Sequence, residues 1–290
     1  MSSSTRIERL GPYRLLNIVN TGQSSRLWKA FDDERRESVA IKTLLDKLAG
    51  DKSQIALLKW EHDIASKLSH PLLIDIREFD WDRSTKTPYL VMEWFDAPNL
   101  KALVNKGYGA YCHSLEMILS GMLGSMMYLH DQGWVHRDVK PDNFLFSEEH
   151  GFKLIDFALA KKIPTGLSKM FAGKTKPQGT PSYMAPEQIR GQAPDPRSDI
   201  YSLGCTFFEL LSGKPPFSGN TMNDLLQKHL TTPPPSIAAR NPNLTPEFGQ
   251  VLRDMLAKRP EDRPASIKEL VAMIGGVRLF KREPIETDLQ

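Results

Sequence analysis

The chain has 290 residues, 40% hydrophobic and 25% charged, and a net charge of +3. Such a length holds one large domain or two lobes. The composition excludes wholesale disorder, and a charge this mild, without a long Lys/Arg run, excludes nucleic acid as the expected main partner.

The start, MSSSTRIERLGPYRLL, lacks the apolar run of a secretory signal. No stretch approaches the ~20 apolar residues that span a bilayer. Cys112 and Cys205 are too few for a disulfide framework or a zinc site of their own. A soluble protein of the reducing cytoplasm, with no membrane segment, is expected.

Taken in order, residues 13–19, 25–31, 38–44 and 89–94 are short β-rich runs separated by polar turns, which predicts an antiparallel sheet. A helix over about 54–68 interrupts them, with Leu57, Ile64 and Leu68 as its apolar stripe. Glu61 falls inside that stripe, and a carboxylate facing inward demands a cationic partner.

After residue 95 the pattern becomes mainly helical. Leu115, Ile118, Leu119, Met122, Leu123 and Met126 form one stripe, and Gly133 is placed to end that helix. Residues 144–146 and 152–155 read as two short strands turning at Gly151. Residues 200–211 are apolar nearly all round, which predicts a buried central helix closed by Gly213. Thr245-Pro246 and Ser266-Ile-Lys-Glu269 are helix-start signals. Residues 157–183 show no period and form a long loop of the kind that is usually functional. Residues past 276 read as a polar tail.

His136-Arg137-Asp138-Val139-Lys140-Pro141-Asp142-Asn143 follows a helix end and precedes a strand, so it lies in a loop. Phosphoryl transfer to a hydroxyl needs a carboxylate to orient the hydroxyl, oxygen ligands for magnesium and a cation beside the moving phosphate. Asp138, Asn143 and Lys140 supply these chemistries within six positions, and Asp156, at the end of the next strand pair, is a second carboxylate suited to the metal.

These residues resemble the catalytic loop and metal-binding signature of eukaryotic-type serine/threonine protein kinases. Val39-Ala40-Ile41-Lys42 resembles the family's strand with the phosphate-binding lysine. Glu61 resembles its helix glutamate, and Ala185-Pro186-Glu187 resembles the end of its activation segment. The resemblance covers about residues 13–275. Lys140 and Gly179-Thr180 fit the serine/threonine branch, with a bacterial flavour over 179–188.

The resemblance implies an α+β, bilobal fold: a small antiparallel β-sheet N-lobe with one regulatory helix (13–95) and a larger, mainly helical C-lobe (96–275). Tails would flank them at 1–12 and 276–290, and the activation segment would run over 156–187. It implies ATP in the cleft between the lobes, with Mg2+ (or Mn2+). Asn20, Gly22 and Leu27 would cover the nucleotide, and Ala40 and Leu145 would join Leu27 around the adenine. Met92 would be the gatekeeper, and the backbone of Glu93 and Phe95 would meet the adenine edge. Lys42, held by Glu61, would grip the phosphates, and Asp156 and Asn143 the metal. Asp138 and Lys140 would act on the incoming hydroxyl and the transferring group.

His136, Arg137, Phe157, Glu187, Asp199 and Arg263 would be structural, Arg263 pairing with Glu187. Arg137 would also receive a phosphate placed on the activation segment, where Ser168, Thr175 and Thr180 are candidate acceptors. Protein substrates with Ser/Thr acceptors are the implied partners, and self-association for autophosphorylation in trans is compatible.

Two positions depart from the family pattern. The phosphate loop, usually Gly-x-Gly-x-x-Gly, is here Asn20-Thr-Gly-Gln-Ser-Ser25, and Ala158 replaces the glycine after Asp156-Phe157. Should position 158 require positive φ, alanine costs about 1–2 kcal/mol. These departures keep a second reading open: a pseudokinase that binds nucleotide or serves as a scaffold. Small-molecule phosphotransfer on a related fold is disfavoured by Ala185-Pro186-Glu187 and the long loop before it.

Overall fold

Tyr13, Leu15, Ala30, Val39, Ile41, Tyr89 and Val91 are far apart in the chain and meet in one buried cluster, against which Trp28 packs. Alternate side chains of a strand share a face, so this cluster is the inner surface of an antiparallel sheet. The computed structural model describes residues 9–164 and 176–289. Ser168 and Thr175 lie outside the described residues. The chain divides into two units, residues 1–96 with 156–158, and residues 97–155 with 159–290.

In the first unit the strands are β1 (Arg9–Leu10), β2 (Tyr13–Thr21), β3 (Ser25–Asp32), β4 (Glu37–Leu44), β5 (Ile76–Trp81) and β6 (Pro88–Glu93), ordered β1-β2-β3-β4-β6-β5. β4 is flanked on both sides, with Lys42 opposite Leu27 of β3 and Leu90 of β6. The register of β2 against β3 shifts twice, between Leu15 and Asn17 and between Ile18 and Asn20.

Helix α1 (Lys52–Ala65) starts where the Asp51 side chain accepts from Ser53 and Gln54 N–H groups. It buries Leu58, Glu61, Ile64 and Ala65. The expected stripe is therefore corrected by one position: Leu57 is half-buried and Leu68 lies beyond the helix end. Glu61 is nonetheless on the buried face.

The second unit carries α2 (Leu100–Lys106), α3 (Leu115–Asp131), β7 (Trp134–Val135), β8 (Phe144–Ser147), β9 (Gly151–Leu154) and β10 (Lys161–Lys162). These are followed by α4 (Pro186–Ile189), α5 (Pro196–Ser212), α6 (Met222–Thr231), α7 (Pro246–Met255) and α8 (Ile267–Gly275). The six apolar residues of the α3 stripe are all buried. Helix α5 is buried from Ser198 to Leu211, as its apolar composition requires, and ends at Gly213 with φ 73°. Residues 277–289 are not a free tail, for Phe280 is buried and bridges Leu244. Among the described residues no helix is long and apolar enough to cross a membrane.

Candidate active site

Two groups of chemistry-bearing side chains form, one in each unit. In the first, the central strand β4 presents Lys42, whose Nζ lies 2.7 Å from Glu61 Oε2 and 3.4 Å from Asp156 Oδ1. The Phe157 backbone N–H also donates to Glu61. Burial alone would pull the lysine down, but the charges of Asp156 and Glu61 overcome it and hold the ammonium protonated. Burial pushes the Glu61 carboxyl up, and Lys42 opposes that push. The cation demanded by a carboxylate inside the α1 stripe is thus Lys42.

Asp156 has φ 64°, a left-handed conformation that Asp tolerates better than most residues. Its Oδ1 accepts from Ala158 N–H at 3.3 Å. Ala158 itself is not among the positive-φ residues. The conditional strain at position 158 does not arise, because the left-handed turn is made at Asp156.

The same holds for the β2–β3 turn. No residue from Asn20 to Ser25 has positive φ, and Gly22 N–H closes the turn on Ser25 O at 2.9 Å. A Cβ added at Gly22 would make only ordinary contact, 3.6 Å from Ser25 O. The missing glycines leave no strained backbone behind. Met92 is buried at the end of β6, and Glu93 N–H donates to Asp75 O. Val19, read only as the end of the first β-rich run and not as a site residue, stands beside Asn20 as an apolar residue 45% exposed.

In the second unit α3 and β7 lead into the loop 136–143. Asp199, at the start of α5, accepts from His136 N–H at 2.7 Å and Arg137 N–H at 2.8 Å, and His130 Nε2 lies 2.8 Å away. A wholly buried carboxylate thereby fixes the loop backbone, and Arg137 adopts φ 69°.

Asp138 then receives donors on both oxygens. Oδ1 accepts from Thr180 N–H at 2.9 Å and Thr180 Oγ1–H at 2.8 Å. Oδ2 accepts from Lys140 Nζ at 2.6 Å and lies 3.4 Å from Asn143 Nδ2. Lys140 also donates to Thr180 Oγ1 at 2.8 Å. Asn143 Nδ2 donates to the Asp138 carbonyl at 2.8 Å, which leaves Oδ1 as the oxygen its amide can offer elsewhere. Ile155 N–H donates to Asn143 O, tying the end of β9 to the loop. Leu145, on β8, bridges Asn99.

Gly179 makes the close approach of Thr180 possible: its φ is 131°, and a Cβ there would stand 3.1 Å from Arg137 O. Arg137 O also accepts from Gln188 Nε2 at 2.9 Å. The Arg137 guanidinium is buried, and burial lowers its pKa against the opposing charge of Asp199. It has no ion pair among the described residues. Arg263 donates to both oxygens of Glu187, at 2.7 and 2.9 Å, and Ser198 Oγ–H donates to Glu187 at 2.6 Å. A buried guanidinium and carboxylate in this two-pronged geometry satisfy one another.

Sequence reasoning missed several supporting groups: His130, Gln188, Ser198, and the network in which Glu209 accepts from Lys101 and, at 2.5 Å, from Tyr183 Oη–H. Glu209 interrupts the apolar run of α5, so the argument that demanded a partner for Glu61 would also have found this one. His130 and Ser198 carry no such signal, since each acts through a residue distant in sequence.

Residues 13–273 match the family described as "Protein kinase domain". The chain is 33% identical over 264 residues to a probable serine/threonine-protein kinase of Streptomyces coelicolor, covering 90% of this chain and 39% of that protein. It is 32% identical over 282 residues to the serine/threonine-protein kinase PknB of Mycobacterium tuberculosis, covering 94% and 44%. It is 31% identical over 291 residues to PknA of that organism, covering 98% and 65%. The chain thus spans between 39% and 65% of the length of these relatives. With the family match over nearly its whole length, the chain belongs to the protein kinase family.

Proposed function

We propose that this chain transfers the γ-phosphoryl group of ATP to serine and threonine hydroxyls of proteins. The observation that carries the reading is the Asp138 carboxylate, which already accepts a threonine hydroxyl at 2.8 Å on one oxygen and the Lys140 ammonium at 2.6 Å on the other. A carboxylate so placed orients a hydroxyl for attack and receives its proton, while the adjacent ammonium offsets charge on the transferring group. The relatives named above are serine/threonine kinases, which supports the same acceptor class.

Lys42, kept charged and held by Glu61, suits the α- and β-phosphates. Leu27, Ala40 and Leu145 would contact the adenine, with Met92 as gatekeeper and the backbone of Glu93 and Phe95 along its edge, and Asn20 and Gly22 would cover the phosphates. Mg2+ takes oxygen ligands and is commonly held by one or two carboxylates together with the substrate's phosphates. The donor set fits: Asp156 is a carboxylate, Asn143 presents an amide oxygen, and the described residues contain no cluster of three or more His, Cys, Asp or Glu that would cage a metal alone. When bound, Mg2+ neutralises charge on the β- and γ-phosphates, and Mn2+ can replace it.

The Arg137 guanidinium is suited to a phosphate on the activation segment, with Ser168 and Thr175 as acceptors. Thr180 is the weaker acceptor candidate, because its hydroxyl is engaged by Asp138 and Lys140. Two copies could supply such a phosphate to each other in trans. We place the activity in the cytoplasm, where ATP is available and the buried free thiols of Cys112 and Cys205 stay reduced.

The test is mass spectrometry of the purified chain, alone and with a generic basic protein, after incubation with Mg-ATP. Wild type is expected to gain phosphate on Ser/Thr, and Asp138→Asn to lose at least ~100-fold in rate. Equal background signal from both proteins would sink the reading and leave nucleotide binding without transfer as the alternative.

A further inference from the structure

The segment 277–289, past the last helix of the second unit, is held down along its length. Thr245 N–H donates to Leu279 O at 3.0 Å, and Lys281 N–H to Asn243 O at 2.7 Å. The buried side chain of Asn243 donates to Arg282 O at 3.0 Å and to Asp288 Oδ2 at 2.9 Å, and its own oxygen accepts from Arg282 N–H at 3.1 Å. The segment and the turn before α7 flank an open groove of about 660 Å³, a volume within the usual range for ligand sites. Arg240, Asn243, Lys281, Arg282, Thr287 and Asp288 line it.

Three cations and one carboxylate face this groove, and the carboxylate is already satisfied. Asp288 accepts from Arg282, from Asn243 and from Ile285 N–H. Among the described residues, Lys281 Nζ donates to a neutral acceptor, Pro242 O at 2.7 Å. Arg240 makes no ion pair among the described residues, and neither does Lys281. Two cations without an ion pair, together with Arg282 and Thr287, therefore line one concavity. Donors in such excess suit an anion with several acceptor oxygens, and guanidinium groups match phosphate in two-pronged fashion. The volume exceeds that of a lone oxyanion and fits a short stretch of chain carrying one.

We propose that this groove is a docking site for a peptide segment bearing a phosphorylated serine or threonine. The choice of a phosphate rests on the kinase reading above, since such segments are the products of that reaction; the groove itself shares no residue with the proposed catalytic machinery. Arginine-lined recognition of phosphopeptides is a recurring binding mode. A phosphomonoester at pH 7 carries more charge and more acceptor oxygens than a carboxylate, so it uses this donor set more fully.

The test is fluorescence anisotropy of a short fluorescein-labelled peptide with one central phosphothreonine, titrated with the full chain in the absence of ATP. Saturable binding about tenfold or more tighter than that of the unphosphorylated twin is expected. Arg240→Glu/Lys281→Glu should weaken it at least about tenfold, and added salt should weaken it further. Should the double variant melt early, Arg240→Gln is read in its place, with a loss of about threefold or more expected.

Amide hydrogen exchange over 277–289 should slow when the phosphopeptide is added to wild type. Equal affinity for the two peptides, unchanged binding by the charge variants, or unchanged exchange over 277–289 would each overturn the proposal. So would a glutamate-substituted peptide that binds as well, since that marks a site for any acidic chain. Inorganic phosphate competing at the same concentration as the phosphopeptide would reduce the groove to a free-anion site and overturn it also. Asp138→Asn separates this from the catalytic reading, for it should bind the phosphopeptide as wild type does whether or not wild type transfers phosphate.

Discussion

Lys42 and Glu61 each make the other's burial tolerable. The lysine side chain is 18% exposed and the glutamate 2%, so removing either leaves a charge without its partner in a poorly solvated place. Lys42→Met and Glu61→Gln should each lower kcat/KM for ATP, and the double variant should lose less than the two losses combined, by about 1 kcal/mol or more. Strictly additive losses would argue against a shared role.

At position 158 the expectation runs against the family pattern. Ala158 is not in a left-handed conformation, so Ala158→Gly relieves no strain and only loosens the unfolded chain. It should lower stability by about 0.5–1 kcal/mol in urea unfolding and change the rate of phosphotransfer less than about threefold. A large gain in activity would show that another backbone conformation, one needing glycine, is the working one.

Among the elements, α5 links the most parts of the second unit. Asp199 at its start holds the loop 136–143 and Glu209 engages α2 and Tyr183, while Tyr201 Oη lies 3.0 Å from His229 Nδ1 of α6. His229 is wholly buried, between the Tyr201 and Phe217 rings, with the Lys258 ammonium 4.2 Å from the Phe217 centroid. Burial, and then the charge of Lys258, lower the imidazole from 6.5 to about 4, against a backbone hydrogen bond with Ser182 that raises it.

The sign follows from which state binds more protons. Above pH 6.5 the histidine is neutral in both states and native stability is at its full value. Between 6.5 and 4 the unfolded chain takes up a proton that the folded chain refuses, so stability falls as pH falls, by about 3 kcal/mol across that window. Urea unfolding at a series of pH values should show this fall, and His229→Gln should flatten that part of the curve. An unchanged slope in the variant would assign the acid sensitivity to other groups.

The elements were unequally legible, for local reasons. Helices α3 and α5 could be read because a stripe or a full circumference of apolar residues has one interpretation. Strand β5 escaped because it is an edge strand whose sequence, IREFDW, buries one position, and alternation fades where one side of a strand is open. Helix α2 has seven residues, too few for a period, and α6 buries only His229 fully.

For the chain as a whole, the C-terminal segment shows how far docking departs from composition. Residues 277–289 are mostly polar, yet the segment buries Phe280 and is fastened through Asn243 and Thr245. Ending the chain at residue 276 should cost about 2–4 kcal/mol in urea unfolding, from the Phe280 side chain and the lost hydrogen bonds. A truncated protein as stable as the full chain would mean the contacts are marginal. The segment looked like a tail because its anchor, Asn243, is more than thirty positions away and has no motif of its own.

The sequence by itself determined the family, the identity of the chemical groups and the order in which they occur, because the motifs that carry the family resemblance are short and restrict residue type and spacing. It also determined that Glu61 must find a cation, since the cost of an unpaired buried carboxylate does not depend on the rest of the fold. The family resemblance already paired Glu61 with Lys42; only the tertiary structure decided that Asp156 and not residue 158 takes the left-handed turn, and which atoms of Asp199, Thr180 and Gln188 meet the loop 136–143. Hydrogen bonds of that kind join residues tens of positions apart, and their geometry is set by packing that no local pattern encodes.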